Sequence, residues 1–171
     1  MSVCAADLLL AYRASGTRPL TTSKLTLTGI DGFDGYNITH PFDDGGRVVL
    51  GVRVELRHDE RSTVRFFDRT QADVWASSSR RTFDLQDPFV SVVAGDLIFG
   101  GVQIEPNPDA GSDGEKWRYR TILYRGATVD EVTAFVVGPW GMKDVRLVEL
   151  PDARVGVFTR PQGGSAGRGQ I

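Results

Sequence analysis

The chain has 171 residues and a formal net charge of −2, from 20 Lys plus Arg against 22 Asp plus Glu. That length allows one domain with a real core and demands no second one, and the near balance of charge excludes a long-range field that would draw nucleic acid or an anionic membrane. A single cysteine, Cys4, excludes a disulfide framework or a cysteine metal site and fits a reducing cytoplasm.

The first apolar run is Leu8-Leu9-Leu10-Ala11. Asp7 precedes it, no Lys or Arg does, and it is too short for a secretory core or a membrane span. It predicts a short amphipathic helix within an N-terminal segment, residues 1–24, of a soluble and untargeted protein. From Leu25 onward the apolar residues alternate or form short β-branched and aromatic runs closed by Gly, Asp, Asn or Pro. The predicted strands are Val48–Leu56, Val64–Asp68, Val74–Ala76, Phe89–Val93, Leu97–Ile104, Arg118–Tyr124, Val132–Val137, Val145–Glu149 and Arg154–Phe158, so the chain reads as all-β. Asp43-Asp44-Gly45-Gly46, Ala94-Gly95-Asp96 and Pro151-Asp152-Ala153 supply tight reversals. The polar stretch Pro106–Lys116 reads as a long exposed loop or a linker, and the strands of matching character on both sides favour the loop.

The strands fall into a four-strand set around Val48–Ala76, a second around Phe89–Val137, and a third from Val145 with two clear strands. Their spacing lies in the range of about 40–50 residues expected of four-stranded propeller blades. A propeller domain over 25–171 would stop inside its third blade. The Gly-rich tail Gly163-Gly164-Ser165-Ala166-Gly167-Arg168-Gly169-Gln170-Ile171 is then either a disordered terminus or a point of truncation.

Several polar groups stand out on chemical grounds. Pro88 keeps Asp87 out of helical geometry and suits a strand start, so Asp87 is a fixed carboxyl at a blade entrance or an ordinary turn cap. Arg53, Glu55 and Arg57 share one face of a strand; they line a sugar-binding cavity or form a solvated face held by ion pairs. Asn37 is a substrate contact or an Asx turn, and Tyr36 packs beside it. Lys143, Arg146, Arg120 and Arg160 have the charge that a phosphate requires, although for Arg120 and Arg160 an exposed strand charge or structural ion pair is an equal alternative. His40 and His58, the two histidines, lack zinc-ligand spacing, so no metal is expected. Trp75, Trp117 and Trp140 are expected in core or inter-blade packing.

Six segments carry a resemblance: Tyr36-Asn37-Ile38-Thr39 with Pro41-Phe42, Arg53-Val54-Glu55, Gln86-Asp87-Pro88-Phe89, Gly100-Gly101-Val102, Met142-Lys143-Asp144-Val145-Arg146-Leu147, and Phe158-Thr159-Arg160-Pro161-Gln162-Gly163. In order and spacing the chain, from about Gly29 to Ile171, resembles a family long catalogued as a domain of unknown function, which includes the glycosyltransferase-phosphorylases of mannogen turnover in Leishmania. It is similar, more distantly, to the β-mannoside phosphorylases. The resemblance implies a five-bladed β-propeller, of which this chain would hold the N-terminal part, about two and a half blades.

It also implies an enzyme of β-1,2-linked mannose, working by phosphorolysis to mannose 1-phosphate, the reverse synthesis, or mannosyl transfer. Asp87 would be the general acid, with Phe89 where the phosphorylases' Glu-Asp-Pro-Arg motif has Arg. The resemblance favours Arg53 and Glu55 as substrate-binding residues and the Lys143-Asp144 pair as phosphate and substrate contacts; on residue type and charge, Asn37 and Arg160 join the expected substrate-binding set and Arg120 and Arg146 the expected phosphate-binding set. No cofactor is implied beyond inorganic phosphate or a sugar nucleotide as co-substrate. The partners would be a mannose-containing oligosaccharide or sugar phosphate, and a second copy joined through unclosed blades. A non-catalytic carbohydrate-binding propeller and an inactive fragment are the competing readings.

Overall fold

The computed structural model describes residues 4–18, 21–59, 61–110 and 116–161. The tail from Gly163, the Gln162-Gly163 end of the last motif and the middle of the Pro106–Lys116 loop lie outside the described residues. One helix, α1 (Ala5–Ala14), is followed by β1 (Thr26–Thr28), β2 (Asp34–Tyr36), β3 (Phe42–Asp43), β4 (Val48–Glu55), β5 (Ser62–Gln71), β6 (Val74–Ser77), β7 (Gln86–Val93), β8 (Asp96–Pro106), β9 (Trp117–Gly126), β10 (Thr133–Val137), β11 (Met142–Glu149) and β12 (Val155–Pro161). The expected N-terminal helix forms, but its Leu8, Leu9 and Leu10 are all exposed. Consecutive residues are about 100° apart on a helix, so three leucines in a row cannot share one narrow face. No described helix is long and apolar enough to cross a membrane.

All nine expected strands are present. The sequence reading missed β1, β2 and β3, which are two or three residues long and too short to show alternation. In the first sheet β2, β4, β5 and β6 form an antiparallel series, with β3 beside β4 and β1 parallel to β6. In the second, β7, β8, β9 and β10 form another antiparallel series. The β11–β12 hairpin joins that sheet through a parallel bridge between Met142 and Arg120. The expected reversals also occur: Gly45 and Gly46, Ala94 and Gly95, and Ala153 take positive φ between β3 and β4, β7 and β8, and β11 and β12 respectively.

The two sheets pack face to face. Val49, Val64 and Phe66 of the first meet Val90, Leu97, Phe99 and Ile122 of the second, with Phe42, Phe83, Leu85, Val129 and Val132 around them. The Phe66 and Phe99 rings are edge-on at 5.4 Å, and Phe83 and Tyr124 extend the cluster; this geometry adds to the area buried. Leu50, Val52, Val54, Phe67 and Trp75, on the far face of the first sheet, are covered by Leu25, Leu27 and Ile30. Trp75 is therefore in the core, as expected, and its indole Nε1 has no partner among the described residues. At one end of the interface Arg80 bonds Asp44 at 2.6 Å and Asp68 at 2.9 Å, while Asp44 also accepts the Val129 amide at 2.8 Å. Burial opposes the Arg80 charge, but its two carboxylate partners outweigh that and raise its proton affinity.

The Gly100-Gly101 motif on β8 has a packing origin. A Cβ on Gly100 would stand 2.3 Å from the Phe89 ring, and one on Gly101 would stand 2.9 Å from the Gln86 carbonyl and 3.0 Å from Leu85 Cβ. Bare backbone at these two positions lets the chain leading into β7 lie directly against β8.

Candidate functional site

The first strand of each set carries the same irregularity. Tyr36 pairs with Arg53, yet Thr39, three residues on, bonds Gly51, two residues back. Gln86 and Phe89 face Val102 and Gly100 in the same way, and Lys143 and Arg146 face Arg160 and Phe158. Each bulge holds one residue in the left-handed region: Asn37 at φ 49°, Asp87 at 48° and Asp144 at 58°. Asn and Asp tolerate that region better than other L-residues, and a bulge re-aims a side chain out of the ladder. Thus Tyr36-Asn37-Ile38-Thr39, Gln86-Asp87-Pro88-Phe89 and Lys143-Asp144-Val145-Arg146 are one structural motif used three times. The proline does keep Asp87 out of the right-handed helical region, but the residue is left-handed rather than extended.

Around Asp87 the two sheets exchange polar contacts. Asp87 Oδ1 accepts from Asn37 Nδ2 and, at 3.0 Å, from Arg53 Nη1. Arg53 is fixed on its other edge by Glu55 Oε2, at 2.8 Å from Nε and 2.7 Å from Nη2, and its guanidinium lies 5.1 Å from the centre of the Tyr36 ring. The Arg53, Glu55 and Asp87 side chains are 12%, 9% and 20% exposed. Such a pair of charges is held by its full set of partners, because removing one would leave another buried and unmatched. Asp87 Oδ2 receives no hydrogen bond among the described residues.

The third set approaches from the other side. Arg146 places its guanidinium 4.2 Å from the centre of the Phe89 ring, and Asp144 pairs with Arg160 and, at 3.7 Å, with Arg146. Burial lowers the proton affinity of Arg146, against the pull of Asp144 and Asp87. Phe89 stands where the similar phosphorylase motif has Arg, and here its ring carries the guanidinium of Arg146. Arg160 Nε is buried without a partner among the described residues.

The structure therefore brings together Asn37, Arg53, Glu55, Asp87, Asp144, Arg146 and Arg160. Lys143 is set beside them, with Nζ 4.9 Å from the Tyr119 ring centre. Arg120 goes elsewhere: it donates to Gln103 Oε1 at 2.6 Å and stacks on Trp140 at 4.3 Å. Since Tyr119 and Arg120 are consecutive on β9, Lys143 and Arg120 lie on opposite faces of the sheet. Arg57 is not part of the Arg53–Glu55 stripe, because β4 ends at Glu55 and Arg57 turns to pair with Asp34 at 2.9 Å. Tyr36, expected only to pack, lies against the Arg53 guanidinium. Its register opposite Arg53 is the signal that shows its role. No group of His, Cys, Asp and Glu suited to a metal ion occurs among the described residues.

Residues 13–171 match the family described as a protein of unknown function, DUF1861. The chain belongs to that family. Among curated proteins nothing matches it. Three solved structures are similar. A mannose phosphorylase from Leishmania mexicana, in complex with phosphate ion, is 36% identical with a TM-score of 0.80, over 93% of this chain and 48% of its own. A hypothetical protein from Leishmania major is 34% identical with a TM-score of 0.77, over 91% of this chain and 50% of its own. A GDP-Man-dependent mannosyltransferase from Leishmania mexicana is 32% identical with a TM-score of 0.73, over 89% of this chain and 49% of its own. The chain thus spans about half the length of these relatives, one a phosphorylase and one a transferase, and it shares with them a mostly β fold.

Proposed function

We propose that this chain forms part of a mannoside-processing enzyme in which Asp87 is the general acid. The observation that carries the reading is the asymmetric hold on that carboxyl: both donors converge on Oδ1, and Oδ2 is left to carry and deliver a proton. In phosphorolysis a phosphate oxygen forms a bond to C1 of mannose as the glycosidic C1–O bond breaks, and the departing oxygen takes the proton. Phosphate arrives as an anion, so no second carboxylate is needed to activate a nucleophile, unlike inverting hydrolysis. Arg146 and Arg160, both paired with Asp144, supply the cationic groups for phosphate or for a nucleotide-sugar diphosphate. The likeness to a phosphorylase and to a transferase supports both donors.

Two antiparallel four-stranded series packed face to face, followed by a hairpin, support two and a half blades of a five-bladed propeller. β-1,2-linked mannose is the proposed substrate and the cytoplasm the proposed compartment. The test is Asp87→Asn, assayed for mannose 1-phosphate release from β-1,2-mannobiose in phosphate buffer and for mannosyl transfer from GDP-mannose. A fall in kcat of about 10²- to 10⁴-fold with sugar binding retained is expected. Unchanged turnover would remove Asp87 from the role, and binding without turnover in the unmodified protein would favour a carbohydrate-binding module.

A further inference from the structure

The three bulges are alike in backbone, but their left-handed residues are not chemically alike: the second and third hold Asp, the first holds Asn. The side chain of Asn37 is directed by its own bulge to Asp87 Oδ1, fifty residues away on the next sheet. Only a donor can serve there. An ionised Asp at 37, matching its counterparts, would set two carboxylates against each other at hydrogen-bond distance, which like charges oppose. Arg53 reaches the same oxygen and is immobilised by Glu55 and Tyr36.

We propose that Asn37 is a positioning residue for Asp87 and not a sugar contact. Its amide and the Arg53 guanidinium clamp Oδ1 from two directions, which fixes the carboxyl plane and turns Oδ2 to the substrate side. The charged groups facing Asp87 from the remaining elements are Arg146 and, beyond it, Asp144 and Arg160. Among the described residues none of these donates a hydrogen bond to Asp87, so the orientation rests on the first sheet. The catalytic consequence rests on the general-acid reading, whereas the orientation of the carboxyl does not.

Asn37→Gly is the informative variant, because glycine takes φ near 49° without a Cβ penalty and only the amide is lost. A misplaced catalytic group costs up to about 10²-fold, so kcat is expected to fall about 10- to 100-fold with KM within about twofold of the parent. Asn37→Asp should lose more than Asn37→Gly, since it adds a repulsion. In a crystal structure of Asn37→Gly the Asp87 carboxyl is expected to rotate or to occupy more than one orientation. A rise in KM at unchanged kcat would make Asn37 a sugar contact and overturn the proposal, as would unchanged kinetics. Asp87→Asn, measured alongside, separates the two ideas. If it retains turnover, the general-acid reading fails, and the crystal structure alone decides: an Asp87 carboxyl still single and unrotated in Asn37→Gly overturns the positioning role.

Discussion

The interface between the two sheets and the outer surface of the last strands are built from the same kind of sequence, yet they end in different environments. Val49, Val64 and Phe66 share one face of β4 and β5 and are at most 1% exposed, whereas on β12 Val155 and Val157, which share a face, are 47% and 57% exposed, and Phe158 on the opposite face is 58% exposed. Phe135 and Val137 on β10 share that exposure. Alternation therefore states which residues a strand offers on a face; burial depends on whether another layer lies over it. The first sheet shows this on both sides, since its far face is closed by Leu25, Leu27 and Ile30 from the chain that precedes β2.

The strongest way to break that comparison is at its buried pole. Phe99 is fully enclosed and touches the Phe66, Phe83 and Tyr124 rings. Phe99→Ala should cost about 3–5 kcal/mol in urea unfolding, through lost transfer energy and the cavity left behind. Next is the polar seam of the same interface. Asp44→Ala strands the Arg80 guanidinium and the Val129 amide, and a loss of about 3 kcal/mol is expected in the same assay. A much smaller value would mean that Asp68 alone satisfies Arg80. The exposed pole should respond least: Phe158→Ser is expected to stay within about 0.5 kcal/mol of the parent. A loss comparable to Phe99→Ala would show that a further layer covers β12 in solution.

Much of the fold could be read from the residues. The long strands announced themselves by alternation, and the turns by Gly, Asp and Ala-Gly at reversals. What escaped were the three shortest strands, β1, β2 and β3; in β2, Asp34-Gly35-Tyr36 has no periodicity to detect and is a strand only because Arg53, Val54 and Glu55 of β4 lie beside it. The site was legible in part. Residue type pointed to Asn37 and Asp87 and the family resemblance to Asp144, but their shared left-handed backbone arises from a register slip between strands, which no single segment reveals. Arg53 and Glu55 were expected on one strand face, and they are. Their common target, Asp87, lies on another sheet, 34 residues from Arg53, and only packing of the two sheets brings it into reach. Arg120 was grouped with Lys143 by charge alone, and the alternation of β9 puts them on opposite faces.

The two adjacent glycines of β8 bear on how still Asp87 can be kept. Leu85 sits in the gap on one face of β8 and Phe89 in the gap on the other, so the segment from Leu85 to Phe89, which runs beside β8, contacts it on both faces with Asp87 between the two contacts. Its main chain is held two residues before and two residues after by side chains packed against β8. The carboxyl is thus borne on a backbone segment stiffened from both ends, and the general-acid role proposed for it, which would demand placement to within about half an ångström, would be served by rigidity built into a place where β8 has no side chains at all.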